Sequence, residues 1–252
     1  MKNKIGKVLN LILPVIVIVS IFIVWASASN SIDNQYILPS VKATAEEFFA
    51  LFKSGEFCLS FLKTLGRALT AFVLSFVISF ALSILSAKIK YVHSAILPVI
   101  SVMRALPTIA VVLLLLLWTN SFVAPVIVTL LVVLPTCYTN LENAFWSLDK
   151  TIAEAGRVDG ANEMQVFLKV ELPMIANNLL STIGSGISLS FKLMVAAEVL
   201  SQTATSIGYM LNTSKVYFET AKMMALVLSA VIFGVLIEWL FNKLAKKASS
   251  WK

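Results

Sequence analysis

Charge is what this chain has least of. Only 13% of its 252 residues are Asp, Glu, Lys or Arg, about half the usual share of a soluble domain, whereas 59% are hydrophobic. Histidine occurs once and cysteine twice. Cys58 precedes one apolar run and Cys137 lies inside another, so they are not expected to pair and neither reports a redox compartment. No cluster of His, Cys and carboxylates falls within the apolar runs, so no metal site is expected. Carboxylates are also scarce there, with Glu198 and Glu238 near run ends. An ion-coupled secondary transporter would be expected to carry coupling carboxylates in mid-span, or inverted repeats with broken helices. The net charge of +7 is scattered and not interleaved with aromatics, which argues against nucleic acid as a partner. No sustained repeat and no low-complexity tract is present.

What the chain does have is long apolar runs. A membrane span needs about 20 such residues, and six are expected, at roughly 8–28, 62–86, 95–118, 122–142, 174–198 and 222–243. The first follows Lys2, Lys4 and Lys7 and ends near Ala26-Ser27-Ala28, as a cleaved signal would. Its apolar part is longer than a typical signal core, so a retained helix is expected. The third and fourth are separated by a tight outer turn around Trp118-Thr119-Asn120-Ser121, and Pro98, Pro107, Pro125 and Pro135 punctuate them. Prolines in spans need neighbours to satisfy the freed carbonyls, so this hairpin is expected to be buried.

Basic residues set the orientation. Lys2, Lys4, Lys7, Lys88, Lys90, Lys150, Arg157, Lys169, Lys243, Lys246, Lys247 and Lys252 fall on one side; Lys42, Lys53, Lys63, Arg67, Lys215 and Lys222 fall on the other. The richer side is cytoplasmic, and both termini lie there. Outside, Ser40 can cap a short helix whose Val41, Phe48 and Phe52 share a face and which Gly55 stops; it would lie flat on the membrane. Ser206-Ile207-Gly208-Tyr209 is expected as a turn between the fifth and sixth spans.

The polar segment Thr151–Pro173 sits on the cytoplasmic side between two apolar runs. Thr151 with Glu154 fits a capping box that starts a short helix. Gly160 interrupts it, as a residue free to take positive φ can. Asn162 with Gln165 can cap a second helix, on which Met164, Phe167 and Leu168 share one face. Pro173 stands where a new span can begin.

These residues carry a resemblance. Glu154, Ala155, Gly160, Val170, Leu172 and Pro173 fall at the spacings of the loop "E-A-A, three residues, G, nine residues, I-x-L-P" of importer permeases of the ATP-binding-cassette superfamily, with Gly156 in place of the second Ala. The wider chain resembles their nitrate/sulfonate/taurine-type branch, through Leu38-Pro39-Ser40, Thr64-Leu65-Gly66-Arg67, Arg104-Ala105-Leu106-Pro107-Thr108, Phe191-Lys192, Ala196-Ala197-Glu198-Val199 and Ser206-Ile207-Gly208-Tyr209. The resemblance implies an all-α membrane protein with about six transmembrane helices, a type I importer-like bundle with a cytoplasmic coupling helix. That helix would be carried by Glu154, Ala155, Gly156, Asp159, Gly160, Ala161 and Asn162 and sit in a groove of a separate ATPase. Ala155 and Gly156 are small where close approach is needed, Gly160 lets the loop bend, and Glu154 caps the helix or pairs with the partner. The implied partners are ABC ATPase subunits, a second permease copy, most simply an identical one, and an extracytoplasmic substrate-binding protein. ATP and Mg would bind the ATPase, with no cofactor in this chain. The expected organisation is a transmembrane helix and connection at 1–37, an outer amphipathic segment at 38–60, and a core permease domain at 61–252 that contains the coupling loop 143–173. The expected location is the bacterial inner membrane.

Candidate path residues are fewer. In the fifth span Ser181, Gly184, Ser185 and Ser188 recur at spacings of three and four, a small-residue face suited to close helix contact or to lining a path. Lys192 is a cation within the span, costly by ~3 kcal/mol or more at the bilayer centre. It either snorkels outward or favours an anionic substrate. Glu198 lies about 9 Å further along and on another face, so it is not an intrahelical partner. Arg104, three residues before Pro107, either bonds freed carbonyls or adds a second path charge, and His93 is expected as a solvated loop residue. A membrane enzyme is the remaining rival. Asp159-Gly160-Ala161 is similar to the start of the D-G-x-x-A-R motif of phosphatidyl-alcohol transferases, but position 164 is Met and no later Asp pair follows. The reading is therefore a transport subunit. The resemblance to the branch implies a small anion such as a sulfonate, taurine or nitrate as cargo, or alternatively a thiamine-precursor pyrimidine or riboflavin-like compound.

Overall fold

The computed structural model describes residues 2–148, 151 and 162–249, with side chains from 13 to 148, at 151 and from 162 to 247. Glu154, Ala155, Gly156, Asp159, Gly160 and Ala161 lie outside the described residues. Among those described, the regular elements are all helices: α1 (Lys2–Ile32), α2 (Val41–Lys53), α3 (Gly55–Lys88), α4 (Lys90–Ala105), α5 (Thr108–Trp118), α6 (Val123–Trp146), α7 (Glu163–Val166), a π-helical turn (Phe167–Glu171), α8 (Leu172–Ser201), α9 (Ile207–Val216) and α10 (Thr220–Ser249). Five segments are long and apolar enough to cross a membrane, and α4 with α5 makes a sixth when taken together. The expected all-α membrane architecture is present.

Three local expectations are corrected. The third span is not one rod: α4 and α5 meet at 92°. Leu106 and Pro107 are both extended, as the steric demand of a proline ring on the preceding residue requires, and Pro107 becomes the N-cap of α5. Gly55 does not stop α2 but opens α3; the break is made by Ser54 (φ −84°, ψ 121°), whose hydroxyl accepts from the Phe57 amide at 3.4 Å. Ser206 to Tyr209 is not a bare turn but the start of α9, where the Ser206 hydroxyl accepts from the Tyr209 amide at 2.9 Å.

Local signals elsewhere are met. Ser40 accepts from the Ala43 amide at 3.1 Å. Asn120 Oδ1 accepts from the amides of Phe122 and Val123, both at 3.0 Å, and so closes the turn before α6. Asn162 and Gln165 form a reciprocal capping box, at 2.8 and 3.0 Å. Pro173 sits in the first turn of α8, directly after the π-helical turn. A proline has no N–H for the preceding turn, and the wider turn absorbs that lost hydrogen bond without ending the helix. The helical segment Glu163–Ser201 therefore runs for 39 residues.

Two compact units result, Met1–Cys58 with Met210–Ser229, and Leu59–Tyr209 with Ala230–Lys252. In the first, the Trp25 indole donates to the Pro39 carbonyl (3.0 Å) and Ser29 to the Leu38 carbonyl (3.2 Å), fixing the turn between α1 and α2. In the second, α6 and α8 form the centre. Half or more of their central windows is buried (50% and 56%), against 22% for α10. The serines of α3 face α6: Ser75 donates to the Leu130 carbonyl (3.3 Å) and Ser79 to the Leu134 carbonyl (2.8 Å). Such polar contacts hold helices together where lipid offers no hydrophobic drive. Phe72, Val133 and Cys137 fill the layer beneath, with Ile183 and Ile187 against them. The expected burial of the proline-rich hairpin holds for Pro125 and Pro135 of α6, whereas Pro98 and Pro107 are exposed and the α4–α5 arm buries mainly Ile100 and Val112. Both cysteines are free.

Candidate translocation path and coupling segment

The expected coupling segment can be described from Asn162 onward. Its cap starts α7, and Val166 and Phe167 turn inward while Met164 and Leu168 stay exposed. The face expected to join Met164, Phe167 and Leu168 is thus divided. Phe167 stacks on Phe145 at 6.4 Å, and Phe145 meets Phe80 at a tilt of 43°, 6.2 Å away. The end of the expected coupling segment is in this way seated on α3 and α6, and α8 continues from it.

Further along α8 the small-residue stripe serves two surfaces. Ser181 and Ser185 line a polar cavity of about 440 Å³ together with Asn140, Asn143 and Asn178. Gly184 and Ser188 pack instead on α10: a Cβ at Gly184 would collide with Phe241, and one at Gly234 would lie 3.1 Å from the Ser188 hydroxyl. The asparagines were not singled out from sequence, although Asn140, Asn143 and Asn178 are amides at the ends of apolar runs and so a readable signal.

The path candidates do not form one site. Lys192 is exposed (51%) and pairs with Glu238 at 3.4 Å. Glu238 lies 46 positions away on another helix, which sequence spacing does not reveal. Arg104 donates to the Pro135 carbonyl (3.2 Å) and to the Thr139 hydroxyl, so it ties α4 to α6 rather than bonding a carbonyl freed by Pro107. Glu198 is fully buried. Arg67 donates to it through Nε at 2.8 Å and lies 2.6 Å from it through a terminal nitrogen; Thr64 donates at 2.8 Å and the Gly208 amide at 3.5 Å. The Thr64 hydroxyl also accepts from the Ile207 amide at 3.1 Å. This cluster joins α3, the end of α8 and the start of α9. It was missed from sequence, although Arg67 and Glu198 are opposite charges both expected at the outer ends of their spans. His93 is not a solvated loop residue: it lies within α4, its Nδ1 is 2.8 Å from Glu142, and its ring meets Trp146 edge-on. No group of three or more potential metal ligands is found among the described residues.

Helices alone among the described residues, with five candidate membrane spans or six when α4 and α5 are taken together, are those of an all-α membrane protein. The chain belongs to the family of binding-protein-dependent transport system inner membrane components, whose model matches residues 79–250. It is an ABC importer permease, as the loop at Glu154–Pro173 led one to expect. It is 26% identical over 209 residues to the riboflavin transport system permease protein RibX of Chloroflexus aurantiacus, covering 82% of this chain and 78% of that one. It is 23% identical over 253 residues to SsuC of Bacillus subtilis, a chain named as an aliphatic sulfonates transport permease protein, covering 100% and 90%. Among solved structures, an inward-facing form of the MetNI methionine ABC transporter shares the fold, with a TM-score of 0.65 at 18% identity over 74% of this chain and 93% of that one.

Proposed function

We propose that this permease forms half of a two-fold import path, with a second, identical copy, and that Glu154–Asn162 docks on a separate ATPase that binds ATP and Mg. An extracytoplasmic binding protein delivers the cargo, and both termini are cytoplasmic. ATP binding draws the coupling segments together and opens the path outward; hydrolysis resets it. The observation that carries this reading is the uninterrupted helical segment from Glu163 to Ser201, which leads from the coupling segment past the polar cavity at Ser181 and Ser185. Co-purification in detergent with the cognate ATPase tests it. Wild type is expected to hold the ATPase through size-exclusion chromatography, and the Glu154→Lys, Gly160→Pro double variant to lose it. Equal retention by both would remove the coupling role.

For cargo, the reading is a small organic anion of the sulfonate type, supported by Lys192 and by the relative SsuC, which aligns along the whole chain. A second reading, a neutral or zwitterionic cargo, is favoured by Glu238, which balances the Lys192 charge at 3.4 Å. In proteoliposomes, Lys192→Gln is expected to cut sulfonate uptake by about 10-fold or more, the worth of one charge-assisted contact. Unchanged uptake and unchanged cargo preference would remove Lys192 as a charge that selects an anionic cargo.

A further inference from the structure

We propose that the pocket where α3 and α6 end together binds the phosphate headgroup of an anionic phospholipid. The pocket has a volume of about 390 Å³ and is lined by Ser86, Ala87, Lys88, Lys90, His93 and Trp146. Its position decides which phosphate it meets. The candidate spans Gly55–Lys88 and Val123–Trp146 both end beside it, on the side where the basic residues collect, which is the side of the cytoplasmic headgroups. Trp146, 50% exposed, and Tyr91, 88% exposed, stand at the same level, the usual place of interfacial aromatics. Leu85 and Ile89, both exposed and next in sequence to the lining residues, offer apolar surface to an acyl chain.

The lining chemistry suits an anion held at this depth. Lys88 and Lys90 supply two ammonium groups from the break between α3 and α4. Ser86 is buried; the Tyr138 hydroxyl donates to Glu142, so Ser86 donates to the Tyr138 oxygen at 2.9 Å and offers its own oxygen lone pairs to the pocket, leaving the two lysines as the donors to an anion. Two carboxylates stand nearby but not in the lining: Glu142 lies behind His93, 2.8 Å from its Nδ1, and Glu163 lies 4.0 Å from Lys88. Glu142 orients the imidazole. Glu163, 64% exposed, together with the Phe167 ring 5.6 Å beneath Lys88, holds that side chain over the pocket without burying its charge. Basic pockets between helices at the cytoplasmic surface are the recognised form of sites for anionic headgroups, and the proposal is independent of the cargo carried.

The test is native mass spectrometry of the full chain in detergent, titrated separately with phosphatidylglycerol, phosphatidylethanolamine and inorganic phosphate. Wild type is expected to retain phosphatidylglycerol selectively. The K88Q, K90Q double variant is expected to lose retention by roughly 10- to 30-fold, the worth of two surface cations. The K88R, K90R variant keeps it, and K42Q, K53Q in α2 changes nothing. Equal retention of phosphatidylethanolamine by wild type, full retention by the double Gln variant, or displacement of the lipid by millimolar phosphate would each overturn the proposal, the last by making it a site for free phosphate. If the double Gln variant does not fold, the wild-type comparison of the three ligands decides alone.

Discussion

Arg67→Leu is expected to lower the apparent melting temperature in detergent by about 10 °C or more and to abolish transport. Glu198 is fully buried, Arg67 is only 15% exposed, and the guanidinium holds the carboxylate through Nε and a terminal nitrogen. Removing one partner of such a pair leaves a buried charge without compensation, at a cost of about 3–5 kcal/mol. In a chain of this size each kcal/mol moves the midpoint by roughly 2–4 °C. Replacing both partners removes the stranded charge. Arg67→Leu combined with Glu198→Leu is therefore expected to be more stable than Arg67→Leu alone, and the cycle of single and double variants gives the coupling directly. A single variant as stable as wild type would show that the pair contributes nothing to the fold. Arg67 also donates to the Thr205 carbonyl at 3.4 Å, so its loss frees the turn that leads into α9.

Gly208→Ala should be nearly as damaging, for a reason of space. A Cβ there would lie 2.5 Å from the Val199 amide nitrogen and 2.6 Å from the Glu198 carbonyl carbon. These are backbone atoms and cannot swing aside, so α9 must move off α8. That movement pulls the Ile207 amide from Thr64 and the Gly208 amide from Glu198. Overpacking of this kind costs about 2–3 kcal/mol. Gly66 is the matched control: it lies inside α3 and a Cβ there meets nothing within 4 Å. Gly66→Ala is expected to be neutral or stabilising by up to about 1 kcal/mol, from helix propensity alone. Thermal unfolding of the two variants side by side checks the contrast; two equal losses would mean that the Gly208 contact does not limit the packing.

Much of the fold was legible because it is written locally. Apolar runs gave the spans to within several residues at most ends, and Ser40, Asn162 with Gln165, and the turn at Asn120 act through neighbours two or three positions away. The 92° bend was half legible. Pro107 marked the place, but whether a proline kinks a helix or splits it depends on what packs on either side. Here α5 lies against α6 and α8 while α4 touches α6. The charged pairs were the least legible part. Arg67 with Glu198 and Lys192 with Glu238 join different helices, and no periodicity within one helix points to a partner on another. The stripe at Ser181–Ser188 shows the same limit. Its spacing announced a small-residue face, but only the neighbouring helices decide which half meets Phe241 and which half meets water.

The π-helical turn ahead of Pro173 has a mechanical consequence. Because it keeps the helix going where a proline would otherwise end it, Glu163–Ser201 is a single strut of 39 residues, roughly 58 Å long. The hydrocarbon is only about 30 Å thick. The strut overshoots it by nearly a factor of two, and its surplus length is a lever arm. Rocking it by about 10° around its midpoint would swing each tip by roughly 5 Å. Leverage of that size comes from length alone, with no joint inside the membrane needed to produce it.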